Sequence, residues 1–208
     1  MKFNMYILGV GMKKWLAIAT AAVALSGPVS AASNVAHGKA VTLSGTFGSD
    51  GDFWGNPALA PNASLVDGVF RAEGNPAGQW NVDSLWWNGS THPENAIDVN
   101  LGGQYKIDRL VLQADDNDVY RIQYFDALGW HNAQDMAAVG GWGLRTRDVS
   151  IGEITTDRLR ITAVSGDSYY AVSEFQAFGV AAVPEPSEYA MMLAGLAVVG
   201  YGLRRRKA

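Results

Sequence analysis

The chain has 208 residues, no cysteine and a formal net charge of −4 at pH 7. Disulfide bonds are excluded, so a stable domain must depend on its core and on any bound metal. Residues 33–182 hold nine Lys or Arg and eighteen Asp or Glu, a net charge of about −9 that argues against a nucleic-acid partner.

The N-terminal residues have the organisation of a secretory signal peptide. Lys13 and Lys14 precede an apolar run over residues 15–25, and small residues around Ala31 follow. This order predicts a signal peptide over residues 1–32, which a signal peptidase removes during export. A retained N-terminal anchor is the alternative.

Short β-strands separated by Gly, Asn, Asp and Pro are predicted between residues 33 and 182, and no stretch there shows sustained helical periodicity. The predicted strands are residues 40–43, 97–101, 107–112, 120–124, 159–163 and 171–178. Apolar and polar residues alternate in several of them, which indicates an antiparallel sandwich with one face of each sheet in the core. Residues 45–94 are predicted to form loops with short strands or turns. A segment of this length without regular structure usually has a functional role or binds an ion.

Acidic residues cluster at Asp115-Asp116-Asn117-Asp118. The cluster lacks the Gly and the distal Glu of an EF-hand loop. We therefore predict a solvated turn between two strands.

An enzyme is disfavoured. His37, His92 and His131 are isolated in sequence and show no metal-ligand spacing. The chain has neither a Gly-x-Ser-x-Gly nucleophile motif nor a phosphate-binding loop. Paired carboxylates for glycoside hydrolysis depend on a spatial distance that the sequence leaves open.

The C-terminal residues carry three consecutive features. Pro184-Glu185-Pro186 interrupts any helix, residues 189–203 are apolar and uncharged, and Arg204-Arg205-Arg206-Lys207 follows. An apolar run before a basic cluster is typical of a membrane segment with a cytoplasmic tail, although the usual span is about 20 residues. The alternative is a buried amphipathic helix, which the missing polar face disfavours.

This order resembles the PEP-CTERM sorting signal of exported bacterial proteins. The resemblance implies that residues 181–208 hold the precursor at the inner membrane, by transient insertion of the C-terminal helix, until an exosortase processes it at the Pro-Glu-Pro site. It implies a final location on the cell surface or in the extracellular matrix of a Gram-negative bacterium.

A second resemblance spans most of the remaining chain. The motifs that carry it are Leu65–Gly68, Trp80, Ile97–Gly102, Tyr105–Leu110, Arg121–Tyr124 followed by Gly129-Trp130, and Ser173–Gly179. Their succession is similar to the discoidin-like family, also called coagulation-factor type C, which includes many bacterial carbohydrate-binding modules. The resemblance implies an all-β, discoidin-like jelly-roll sandwich of eight strands over residues 33–180. Two departures are Asn100, where the family usually has Asp, and an insertion in the turn at residues 126–129.

The discoidin-like family often holds one structural calcium ion where an early loop meets the last strand. Asp67 and Glu174 occupy the matching positions. By the same resemblance, backbone oxygens would come from Ser64, Ala72 and Ser173. The residues add one independent observation, because a carboxylate at Glu174, in an otherwise small or apolar strand, needs a partner. The alternative partner is an arginine such as Arg71.

Tryptophan is abundant in the predicted domain. Its six tryptophans are Trp54, Trp80, Trp86, Trp87, Trp130 and Trp142. Aromatic planes beside amide and charged groups on loops are a composition suited to sugar binding. In an extended segment adjacent side chains point to opposite faces, so at most one of the pair at residues 86 and 87 faces a ligand.

The candidate carbohydrate-binding residues are Trp54, Tyr169 and Tyr170, with Arg121 as a polar partner. The resemblance implies an aromatic in the sugar site at Tyr170, and it implies structural roles for the tryptophans at 80 and 130.

Two functions remain open at this point. The first is an exported, lectin-like carbohydrate-binding module associated with extracellular polysaccharide or biofilm matrix. The second is a structural or adhesive matrix protein that binds a protein partner and no sugar.

Overall fold

The computed structural model describes residues 31–48, 58–74, 82–182 and 186–205. The eight strands and two helices within these ranges are β1 (Ser33–Asn34), β2 (Ala40–Ser44), a 3₁₀ helix (Asn62–Val66), β3 (Leu85–Asn88), β4 (Ala96–Asp115), β5 (Val119–Asp126), β6 (Gly129–Met136), β7 (Leu144–Ser165), β8 (Tyr169–Ala181) and α1 (Pro186–Arg205). The predicted signal peptide lies outside the described residues except at its last two positions. All eight strands belong to one structural unit, Ala31–Tyr189.

Two long strands, β4 and β7, run through the whole sandwich. They pair antiparallel from Ala96 opposite Thr162 to Asp115 opposite Leu144. The register shifts between Asn100 and Tyr105, where Gly102 adopts a φ of 74° that favours glycine. Residues predicted as two strands are therefore one strand, bent at its glycines.

The bend divides the strands between two layers. In the first layer, β2 pairs with the first part of β4, and the second part of β7 pairs with β5, which pairs with β6. In the second layer, the rest of β4 pairs with β8, and β8 also pairs with β1 and β3. The strands form an antiparallel β-sandwich, which confirms the predicted fold class.

Alternation along each strand separates core from surface. In β5, Tyr120 and Ile122 are fully buried, whereas Arg121 between them points out of the first layer. In β7, Leu159 and Ile161 are likewise buried. The period-2 pattern in the sequence thus identified the inward faces correctly.

Both adjacent tryptophans of β3 are buried, on opposite faces of their strand. Trp87 belongs to the main core and packs against Phe47, Tyr120 and Tyr170, with ring centroids 5.2, 6.4 and 5.3 Å away. Trp86 packs in a smaller cluster on the other side with Leu144, Ala171 and Leu59. Its indole Nε1 donates a hydrogen bond to the Ala58 carbonyl at 2.9 Å. Both rings therefore have structural roles.

The C-terminal helix α1 begins at Pro186, a position that suits proline because the first N–H groups of a helix have no intrahelical partner. Its apolar side chains, among them Leu193, Leu196 and Val198, are exposed to solvent. Across the described part of the chain, no helix combines the length and the apolar character needed to cross a membrane. The transmembrane helix predicted from the sequence is therefore not supported within these residues.

Trp87→Ala should lower the free energy of unfolding by about 3–5 kcal/mol, because it removes the centre of the aromatic cluster and leaves a cavity. Urea denaturation of the purified protein measures this change. Trp142→Ala is the matched control, since the Trp142 side chain is 63% exposed and its loss should change the free energy by no more than about 0.5 kcal/mol. Equal effects of the two substitutions would contradict the assignment of Trp87 to the core.

Candidate functional site

Four connections meet at one end of the sandwich, which we call the loop end. They are the β3–β4 loop (residues 89–95), the β4–β5 turn (116–118), the β6–β7 loop (137–143) and the β7–β8 turn (166–168). Hydrogen bonds join them in series. The N–H groups of Val139 and Gly140 donate to the Asp116 carbonyl, the Asn117 amide donates to the Asp167 carboxylate, and Gly89 N–H donates to the Ser168 carbonyl.

The β6–β7 loop presents an exposed tryptophan at this end. Trp142 is 63% exposed. Its neighbours Gly140, Gly141 and Gly143 have φ angles of 69°, 118° and 78°, which side-chain-bearing residues rarely adopt. A large aromatic ring is thus held toward solvent by a loop whose conformation depends on glycine. Sequence reasoning did not select Trp142, although glycine on both sides of a tryptophan was a usable signal.

Polar groups accompany Trp142 at the loop end. Asn117 is exposed on the β4–β5 turn, and its side-chain amide donates to Asp167 Oδ2 at 2.9 Å. Asp167 Oδ1 accepts the backbone N–H of Tyr169 at 2.8 Å. Tyr169 itself is half-buried at the start of β8. The loop end therefore combines an aromatic plane with amide, carboxylate and phenol groups.

The structure does not bring the predicted carbohydrate-binding residues together. Tyr170 is only 8% exposed, and its ring packs on Trp87 and Tyr120 in the core. Because Tyr120 faces that core, the next residue, Arg121, points out of the opposite layer, where it forms a two-pronged ion pair with Asp135. Tyr169 joins the loop end, the buried Tyr170 ring lies against Gly89 of the β3–β4 loop, and Trp54 lies outside the described residues.

Trp130 lies on the outer face of the first layer, next to the β5–β6 turn. The Arg160 guanidinium stacks over its ring at 4.1 Å, and Phe125 contacts it edge to face. Arg160 is also held by Asp98 through two hydrogen bonds. This arrangement gives Trp130 a packing role on the sheet surface.

The acidic cluster forms the β4–β5 turn, as predicted, but the prediction that it is solvated is wrong. Asp115, Asp116 and Asp118 are buried, and only Asn117 is exposed. Asp118 Oδ1 accepts the Asp167 N–H at 3.2 Å, and Oδ2 contacts the Tyr120 hydroxyl at 3.3 Å. Burial, followed by the nearby Asp115 and Asp167 carboxylates, raises the pKa of Asp118 to about 7.

A second buried carboxylate lies where residues 67–74 cross the outer face of β8. Glu174 is 0% exposed, and its Oε1 accepts hydrogen bonds from Gly68 N–H at 3.0 Å and from Gln176 Nε2 at 3.1 Å. Its Oε2 has no hydrogen-bond partner among the described residues. Burial is the main cause that raises the pKa of Glu174 to about 7, and Asp67 adds to the shift.

Of the predicted calcium residues, Asp67 precedes the Gly68 N–H that binds Glu174, and Ser173 is the neighbour of Glu174 on β8. Gln113 ties the crossing segment to the sheet, because it accepts from Arg71 N–H, donates to the Arg71 carbonyl and accepts from the Ser173 hydroxyl. In the described residues Arg71 forms an ion pair with Asp67, at 4.0 Å. The Arg71 charge offsets part of the rise in the pKa of Glu174, but no hydrogen bond from Arg71 reaches Glu174 Oε2.

The donor chemistry fits a calcium ion. Carboxylates at Asp67 and Glu174, with backbone carbonyls from Ser64, Ala72 and Ser173, are the hard oxygen ligands that calcium prefers. Within the described ranges, no cluster of three or more His, Cys, Asp and Glu side chains could hold a metal. Backbone oxygens would therefore have to supply much of the coordination.

Comparison with known proteins identifies the C-terminal segment. Residues 182–207 match the PEP-CTERM protein-sorting motif. The sorting signal predicted from the order of Pro-Glu-Pro, apolar run and arginines is thereby confirmed, and it marks an exported protein that is sorted by an exosortase. Comparison with curated proteins gave no significant match.

The sandwich resembles solved carbohydrate-binding modules in shape. A chitosan-binding module of a chitosanase/glucanase from Paenibacillus sp. IK-5, in complex with chitotriose, is 20% identical, with 69% of this chain and 98% of that chain covered at a TM-score of 0.44. A family 32 carbohydrate-binding module of Clostridium perfringens NanJ, in complex with galactose, is 19% identical, with 71% and 98% covered at a TM-score of 0.43. At these identities and scores the likeness describes the fold and carries no argument about a ligand.

Stability should fall as the pH rises from about 5 to 8, and Asp118 should account for part of the fall. A carboxyl with a raised pKa keeps its proton in the folded state, while the unfolded chain has lost it above about pH 4. The folded state therefore loses relative stability until the pH passes about 7. Asp118→Asn removes this titration. It should reduce the difference between the free energies of unfolding at pH 5 and pH 8 by about 1–3 kcal/mol.

Urea denaturation at the two pH values measures this effect. Asp108→Asn removes the same charge from an exposed position on β4 and should leave the pH dependence unchanged. The same pH dependence of stability in the wild type and in Asp118→Asn would show that Asp118 does not cause the loss of stability.

Proposed function

We propose that residues 33–180 form an exported glycan-binding module whose ligand stacks on Trp142 at the loop end. The observation that carries the proposal is the exposure of this indole on a glycine-rich loop, among polar groups of neighbouring turns. The exposed tryptophan ring keeps apolar surface in contact with water, which is unfavourable in free energy. A ligand that covers the ring removes this surface from water and gains that free energy.

A saccharide matches both parts of the loop end. The C–H face of a sugar ring packs on an aromatic plane, while its hydroxyl groups need donors and acceptors nearby. Asn117 and Asp167 offer an amide and a carboxylate within one hydrogen-bonded pair, and the Tyr169 phenol lies two residues further along the chain. The domain's negative charge favours a neutral or cationic glycan over a polyanionic one.

The sorting motif supports an activity outside the cell, because it marks the protein as exported. An exported module released from the membrane encounters polysaccharide at the surface of the producing cell. We infer that the ligand is extracellular polysaccharide and that the protein is a component of the biofilm matrix. A protein partner is the competing outcome of the binding test below.

We also propose that one calcium ion binds between residues 64–72 and β8. Asp67 and Glu174 would provide the carboxylates, and the carbonyls of Ser64, Ala72 and Ser173 would complete the set. The support is the buried Glu174 Oε2, which lacks a partner among the described residues and which a cation would satisfy. The ion would fasten the segment at residues 67–74 to the sheet.

Trp142→Ala should weaken polysaccharide binding at least about fivefold, because stacking on one aromatic ring contributes about 1 kcal/mol or more. The full chain, kept soluble in a zwitterionic detergent, is titrated against a panel of neutral, cationic and anionic polysaccharides. Trp130→Ala is the matched control, since that tryptophan lies on the sheet surface under Arg160. Absence of binding by folded wild-type protein to every glycan would refute the proposal and favour a protein partner.

Calcium should raise the melting temperature of the wild type and have little effect on Glu174→Gln. Saturation at 100 times Kd corresponds to about 2.7 kcal/mol of added stability. Differential scanning calorimetry with calcium and with chelator measures the shift. Glu153→Gln changes an exposed carboxylate paired with Lys106 and should retain the full response. A wild-type melting temperature that ignores both calcium and chelator would rule out the site.

A further inference from the structure

Arg147 is a buried cation whose hydrogen-bond partners are backbone carbonyls. It lies on β7 and is only 4% exposed. Its Nε donates to the Ala137 carbonyl at 2.8 Å, and its Nη1 donates to the carbonyls of Ala114 and Arg145 at 3.1 Å. Its Nη2 donates to the carbonyls of Asp115, Asp116 and Asp118. Every nitrogen of the guanidinium is therefore used within the protein.

These acceptors belong to different connections of the loop end. Ala137 begins the β6–β7 loop, whereas Asp116 and Asp118 belong to the β4–β5 turn. The Asp116 carbonyl also accepts the N–H groups of Val139 and Gly140, at 3.0 and 3.3 Å. One planar side chain and one shared carbonyl thus fasten the loop that carries Trp142 to the turn that carries Asn117.

The β6–β7 loop needs such a fastening because its own residues give it little rigidity. Glycines at 140, 141 and 143 lose more conformational freedom on ordering than other residues do. Trp142 is mostly in water and cannot anchor the loop by burial. The loop conformation must therefore come from hydrogen bonds to the rest of the domain.

Arginine is the side chain suited to this geometry. The guanidinium presents five N–H donors in one rigid plane, whereas lysine offers three donors at a single point. Burial lowers the pKa of the Arg147 guanidinium, and the nearby Tyr120, Asp118, Asp115 and Asp116 offset part of that effect. The Tyr120 ring packs against the core-facing side of the guanidinium, with the ring centroid 5.7 Å from Arg147 Cζ.

We propose that Arg147 is a positioning residue that orders the Trp142 loop for ligand binding by joining it to the β4–β5 turn. It need not contact the ligand. This inference rests on the proposed glycan-binding function for its biological meaning, but its structural part can be tested without any ligand.

Arg147→Lys in the full chain is the first test, with backbone amide hydrogen exchange and polysaccharide binding as the two readouts. The N–H groups of Val139 and Gly140 should lose protection while amides in the centres of β4 and β8 keep theirs. Affinity for the polysaccharide that wild type binds should fall at least about tenfold, the effect of losing one or more hydrogen bonds. Arg109→Lys is the matched control, because Arg109 pairs with Asp148 on the outer face of the second layer.

Trp142→Ala separates positioning from ligand contact. It should lose binding, while the N–H groups of Val139 and Gly140 keep their protection from hydrogen exchange. A disordered loop would lose that protection. If wild type binds no glycan, the proposed function fails, and the exchange pattern of Arg147→Lys still decides whether Arg147 orders the loop. Unchanged protection and affinity in Arg147→Lys would overturn the inference.

Gly140→Ala keeps the proposal testable if Arg147→Lys fails to fold. A Cβ at this position would meet no atom within 4 Å, so the substitution strains only the loop backbone, which has a φ of 69° there. Affinity should fall about as much as in Arg147→Lys, with the core intact. Wild-type affinity in Gly140→Ala would show that loop conformation does not control binding, which also overturns the inference.

Discussion

The sandwich depends on two strands that belong to both of its layers. β4 and β7 pair along nearly their whole lengths, and both change layer where their register shifts near Gly102. Because each long strand is shared, the two layers cannot separate without breaking the central pairing. The same geometry directs the ends of β4 and β6 and the starts of β7 and β8 toward one end of the domain. A continuous hydrogen-bonded pair of strands therefore defines both the core and the place where the loops meet.

Buried polar groups hold the connections on this frame. The chain cannot use disulfides, and its loops contain many glycines, so apolar packing alone does not fix them. Arg147 gathers the carbonyls of two connections, while Gln113 and Glu174 fasten residues 67–74 to the outer face of β8. Such groups are costly to bury unless they are satisfied, which makes the loop positions specific. Among the described residues, Glu174 Oε2 is the one buried carboxylate oxygen without a hydrogen-bond partner, and it is the best reason to look for a cation.

The sorting tail and the domain were accessible to sequence reasoning for different reasons. The tail is a linear signal, so the order of Pro-Glu-Pro, apolar residues and arginines suffices to recognise it. The strands could be predicted because a half-buried sheet imposes a period of two on the sequence, as at Tyr120 and Ile122. The binding residues had no such periodicity. Tyr170 was selected from its place in a family pattern, and only the packing shows that its ring faces the core.

The sequence by itself determined the C-terminal sorting signal, the all-β class, the inward faces of the strands and the absence of disulfides. These follow from local composition and periodicity, which act within a few residues. The tertiary structure alone decided that the acidic turn is buried, that Arg147 is surrounded by carbonyls, and that Trp142 is the exposed tryptophan of the loop end. Those properties depend on contacts between residues distant in sequence, such as Arg147 with Asp118, and no local pattern encodes them.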